Sequence, residues 1–137
     1  MPMNLDPDLT AAVRHLIDSG CHYRMEALAA CYAPDLRIVM VSENGETLTF
    51  DYAQNLAFFQ SLKDAGAAPL NTAVIFNHAE AHEGIGYVSA TRRMDLGQGE
   101  KRIVFTLMLR HDGARWQVFR EHAVITGAAS LLSKGNP

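Results

Sequence analysis

The chain has 137 residues, 48% of them hydrophobic and 20% charged, with a formal net charge of −3. That length suits one domain able to bury roughly two-thirds of the surface its unfolded form exposes, read here as a single unit over 1–137 with a core of about 7–126 and a tail of 127–137. The mild acidity argues against a nucleic-acid partner, since phosphate-backbone binders carry a basic patch, and no stretch reaches the ~18 apolar residues of a membrane span.

Asp6, Asp8, Arg14 and Asp18 interrupt Met1–Gly20, which leaves no uncharged signal-peptide core. Cys21 and Cys31 lack the spacing of a disulfide framework, so reduced thiols in a cytoplasmic protein are expected.

A first helix is expected after Asp6 as N-cap, with Pro7 at its first position, an apolar stripe of Leu9, Ala12, Val13, Leu16 and Ile17, and a stop at Ser19-Gly20. A second, about Tyr23–Tyr32, is stopped by Ala33-Pro34-Asp35. Leu36–Val41 reads as a strand returning through the Asn44-Gly45 turn into Thr47–Phe50. Asp51 and Gln54 form a capping box for a third helix carrying Tyr52, Leu56 and Phe59, which Gly66 ends. Asn71–Glu80 reads as a strand, turned by His82-Glu83-Gly84 into three long strands: Ile85–Leu96, Lys101–His111 and Trp116–Ile125. Helices that come early, not between every pair of strands, predict an α+β fold with a bent antiparallel sheet of about six strands covered by three helices.

Turn lengths predict which residues share a sheet face. Gly97-Gln98-Gly99 should set Leu96 opposite Lys101, and Asp112-Gly113 should set His111 opposite Arg115. One face would then carry Val88, Ala90, Met94, Ile103, Phe105, Leu107, Leu109, Phe119 and Ala123, with Gln117 and Glu121 as its polar members. The other would carry Tyr87, Ser89, Thr91, Arg93, Val104, Thr106, Met108, Arg110, Trp116, Val118, Arg120 and His122. A one-residue slip of the last strand would exchange its two sets.

The element order, the run Met25–Val41 (MEALAACYAPDLRIVMV), the helix after Asp51 and the closing Asp112–His122 (DGARWQVFREH) resemble the nuclear transport factor 2-like superfamily, within it the SnoaL-like and ketosteroid-isomerase-like branches. The resemblance spans about Leu9 to Ile125. It implies a cone-shaped pocket between sheet and helices and a homodimer through the outer sheet face. In ketosteroid isomerases the general-base aspartate aligns with Met40, and the tyrosine that donates to the oxyanion lies on the first helix, where this chain has His15. The chain departs from the isomerases at both positions.

Six histidines show no metal-ligand spacing, and His78 and His82 lie across a strand end, so neither a metal nor a cofactor is expected. If the amphiphilic face is the pocket side, Arg93, Arg120 and His122 bring two fixed cations and an imidazole into a partly apolar cavity, fit for a small acid or a polarised carbonyl. The alternative is that the arginines reach the rim and pair with Asp95 or Glu121. On the first reading Tyr87, Thr91, Thr106, Met108, Trp116 and Val118 line the pocket together with Met40, His15 and Phe59.

The expected function is binding of a small apolar molecule with a polar or acidic group. A second expectation is a metal-independent isomerase, cyclase or hydrolase using His122 as acid or base and Arg120 for electrostatic stabilisation. A third is an assembly module, whose cavity Trp116, Met108 and Phe59 would fill. The continuously apolar face, with Phe105 and Leu107, is expected to be covered by a second copy.

Overall fold

In the computed structural model, residues 5–95, 97 and 99–128 are described. The elements are α1 (Pro7–Cys21), α2 (Met25–Ala30), β1 (Tyr32–Val41), β2 (Thr47–Asp51), α3 (Tyr52–Asp64), β3 (Val74–His82), β4 (Ile85–Asp95), β5 (Glu100–His111) and β6 (Trp116–Ala128). The strands make one curved, unclosed sheet in the order β2-β1-β6-β5-β4-β3. All neighbouring pairs are antiparallel except β1 with β6, which run parallel.

Local chemistry explains the helix starts. The Asp6 carboxylate accepts from the Asp8 and Leu9 amides at 3.0 and 3.1 Å, and Pro7 follows where an N–H would be unsatisfied anyway. Asp51 and Gln54 form the expected capping box. The α1 stripe of Leu9, Val13, Leu16 and Ile17 is buried against the sheet. At Gly86 the approach is so close that a Cβ would lie 2.5 Å from Leu9 Cδ2, which is why only glycine fits there unless Leu9 moves.

Several boundaries differ from the sequence reading. Helix two ends at Ala30, and β1 starts at Tyr32, running through Pro34. Proline cannot donate to a ladder, and the β1–β6 pairing skips accordingly between Tyr32 and Arg37. β3 starts at Val74, not Asn71, because the Asn71 side chain turns back to accept from the Ala73 amide at 2.8 Å. In the β4–β5 hairpin Met94 pairs with Lys101 and Asp95 with Glu100, two residues from the expected register. An even shift leaves both faces as read. Leu96 and Gln98 of that turn, and the tail from residue 129, lie outside the described residues.

Two corrections decide where the site lies. First, β6 starts one residue out of the expected register, with His111 opposite Trp116 and Leu109 opposite Val118; a bulge then makes the shift two residues, Leu107 facing Glu121 and Phe105 facing Ala123, and this even shift returns the later residues to the expected faces. Trp116 and Val118 therefore join the apolar face while Glu121 and Ala123 stay on it. Second, the helices cover that apolar face, not the amphiphilic one: Val88, Ala90, Met94, Ile103, Phe105, Leu107, Leu109 and Ala123 are all buried beneath them. The apolar stripes of α1 and α3 need an apolar partner, and this face supplies it without a second copy.

Candidate functional site

Between α1, α3 and the inner sheet face lies a cavity of about 260 Å³. Its helix walls are Val13, Leu16, Ile17, Phe58 and Phe59; Ile38, Met40 and Phe50 close the β1–β2 side, and Met94, Ile103, Phe105 and Leu107 form the floor. Strand alternation turns every second residue of β4 and β5 to the inner face, and that period delivers Arg92 to the cavity, between Ala90 and Met94. The β6 bulge delivers Glu121. With Tyr32 at the start of β1 and Asn55 of α3, these make up a polar group inside otherwise apolar walls.

Arg92 is buried. Its Nη2 donates to the Asn71 carbonyl at 3.0 Å and contacts Cys21 Sγ at 3.1 Å, and its guanidinium lies 5.7 Å from the Phe105 ring centre. Arg92 Nε and Asn55 Nδ2 have no hydrogen-bond partner among the described residues. Nor does Arg92 form an ion pair among them, although its charge is felt by Glu121. Burial pushes the Glu121 carboxyl up to about 7, against the opposing pull of Arg92. Tyr32 is held well above the usual phenol range, first by burial and then by Glu121. Burial also raises both thiols, Cys31 to about 11, so neither is an activated nucleophile.

Of the residues expected in the pocket, Met40 and Phe59 line this cavity. Tyr87, Thr91, Arg93, Thr106, Met108, Arg120 and His122 stand on the opposite sheet face. There Thr91 Oγ1 accepts from Asn77 at 2.9 Å, and Tyr87 packs edge-on to His78. Arg120 pairs with neither Asp95 nor Glu121; it donates to the Asp35 carbonyl at 2.9 Å. His15 is exposed on α1. Trp116 and Val118 lie on the helix side but in the packed end: a Cβ at Gly86 would meet Trp116, and Val118 is fully buried. Of the residues expected to fill the cavity of an assembly module, Trp116 and Met108 do not reach it, and it stays open.

The sequence reading has Glu121 on the apolar face but not among the site residues, and Arg92 is not among them either. A carboxylate and an arginine in the alternation of otherwise apolar strand positions were the available signal, because such residues are almost never fully buried without a reason.

No protein-family model matches the chain, and no curated protein sequence matches it. Solved structures do. A nuclear transport factor 2-like protein of unknown function from Silicibacter pomeroyi superposes with a TM-score of 0.69 at 17% identity, over 86% of this chain and 92% of that one. The chain has the nuclear transport factor 2-like fold. A nuclear transport factor 2-like protein from Cytophaga hutchinsonii gives a TM-score of 0.69 at 16% identity, covering 90% and 99% of the two chains. A ketosteroid isomerase-like protein from Erwinia carotovora gives 0.60 at 12% identity over 86% and 93%. At such identities the shared property is the fold, and activity has to be argued from the site.

Proposed function

We propose that the chain binds a small, mostly apolar molecule carrying one polar group, in the cavity between α1, α3 and the inner sheet face. The observation that carries this reading is a cavity of about 260 Å³ whose walls are apolar and whose few polar side chains, Arg92, Glu121, Tyr32 and Asn55, include unpartnered ones. Apolar surroundings with a few placed polar groups are the usual make-up of a ligand site. A thermal-shift screen of small apolar molecules, repeated on an Ala90→Leu variant that narrows the cavity, tests it. Hits should be weakened or lost in the variant, and unchanged affinity there would place the ligand elsewhere.

A second reading is favoured by Glu121: a metal-independent isomerase, cyclase or hydrolase. A carboxyl with a pKa of about 7 inside a cavity exchanges its proton near neutral pH, as a general acid or base must. This moves the acid–base role from His122 and Arg120 to Glu121. Turnover of any substrate found by screening should fall at least about a hundredfold in Glu121→Gln.

The homodimer is likewise proposed, through the face the helices leave uncovered. Val39, Ile75 and Tyr87 are exposed there, which supports a second copy as cover.

A further inference from the structure

The polar end of the cavity has a surplus of hydrogen-bond donors. Arg92 is buried with Nε unpartnered, and its Nη2 is taken up by a carbonyl and a thiol, neither of which carries the opposite charge. Among the described residues the Asn55 amide nitrogen has at most the Tyr32 oxygen beside it to bond, and so adds a further donor. When Glu121 holds its proton it too becomes a donor, and the guanidinium then has no counter-ion in the cavity. A buried arginine without an anion is costly, and a planar carboxylate is the group its fork fits best.

We propose that the ligand is a small monocarboxylic acid with an apolar body, its carboxylate seated against Arg92 and its chain or ring lying among Phe59, Ile103, Phe105 and Leu107. This deepens the reading of the cavity as a ligand site and rests on it. The volume limits the size: since an apolar cavity of about 150 Å³ takes one benzene, this one takes about ten heavy atoms. Glu121 should make binding pH-dependent. The titratable and charged groups around it are Arg92 of β4, Tyr32 and Cys31 on the β1 side, and Cys21 of α1 beside Arg92. Below about 7 the protonated carboxyl donates to the bound carboxylate; above it, a second negative charge faces the ligand.

Octanoate and octanamide are matched in size and differ at the head group, so calorimetric titration of both at pH 6 and pH 8 tests the proposal. Octanoate should bind at least about tenfold more tightly than octanamide at pH 6, and its affinity should drop severalfold at pH 8. Glu121→Gln should keep the preference for the acid and lose the pH dependence. Arg92→Gln should bind the two compounds equally. Equal wild-type affinities, or octanoate binding untouched in an Arg92→Gln protein that still binds octanamide, would overturn the acid while leaving the cavity reading in place. If Arg92→Gln does not fold, the wild-type ratio and the Glu121→Gln profile decide. Binding of neither compound to the wild type would overturn the acid and count against the cavity as well.

Discussion

Glu121 and His122 follow one another on β6 and face opposite sides of the sheet; Arg92 and Arg120 differ in the same way across β5. Inside, a carboxyl is pushed up to about 7 and an arginine keeps an unpartnered nitrogen. Outside, the same residue type is satisfied cheaply: Arg120 takes the Asp35 carbonyl, and Arg110 pairs with the Asp35 carboxylate at 2.8 Å and packs on Phe119. Chemical potential here comes from placement, since a charge costs little while water reaches it and a great deal once apolar walls exclude it.

The largest effect should come from swapping a charge onto each face at neighbouring positions of β5. Leu107 is buried under the helices, and Leu107→Glu should cost roughly 4 kcal/mol or more, enough to unfold most of a marginally stable domain. Met108→Glu, on the uncovered face, should cost about 1 kcal/mol or less in urea denaturation and should dissociate the proposed dimer in sedimentation at micromolar concentration. A folded Leu107→Glu protein beside an unfolded Met108→Glu protein would mean that the faces are exchanged.

Glu121 provides a sharper test. Its folded pKa of about 7 stands above the ordinary 4.5, so between those values the native state holds the proton more tightly than the unfolded chain. Stability therefore falls as pH rises from about 4.5 to 7; the penalty is absent below that window and complete above it, on the order of 3 kcal/mol. Glu121→Gln should match the wild type at pH 4 and exceed it at pH 8 by an amount of that order, read from the difference in denaturation midpoints. A constant difference across this range would mean that the carboxyl is not confined as described.

Most of the fold was legible because its signals are local. Asp6-Pro7, the Asp51–Gln54 box, the Asn44-Gly45 turn and the alternation of β4 and β5 each act within a few residues, and each appears where expected. The site was hidden by two longer-range facts. The bulge beyond Val118 decides the side on which Arg120 to Ile125 lie, and no pattern in WQVFREH marks it. The choice of which face the helices cover depends on matching apolar area between distant segments. Mixed polarity in the sequence points to the other face as the pocket side, whereas the cavity has a nearly apolar wall with few polar members. The parallel β1–β6 pair, which brings Tyr32 near Glu121, is a contact between the two ends of the sequence and leaves no local trace.

The smallest effect, and the last test of the comparison, concerns Arg120 and His122 themselves. His122 is exposed opposite Thr106, and Arg120 is exposed with hydrogen bonds to the Asp35 and Phe119 carbonyls and its guanidinium 5.5 Å from the Phe119 ring centre. Neither lines the cavity. Losing an exposed hydrogen bond exchanges it for one to water, so Arg120→Ala should cost only about 0.5 kcal/mol and His122→Ala less. Affinity for a cavity ligand should stay within about twofold of wild type in the double variant, because the substituted atoms lie on the far side of the sheet from the bound molecule. Titration of one ligand into the wild type, the Arg120→Ala, His122→Ala double variant and Glu121→Gln, at matched pH, separates the two sides of β6 directly. A tenfold loss in the double variant, with Glu121→Gln unchanged, would move the site to the outer face and leave the inner cavity a packing defect.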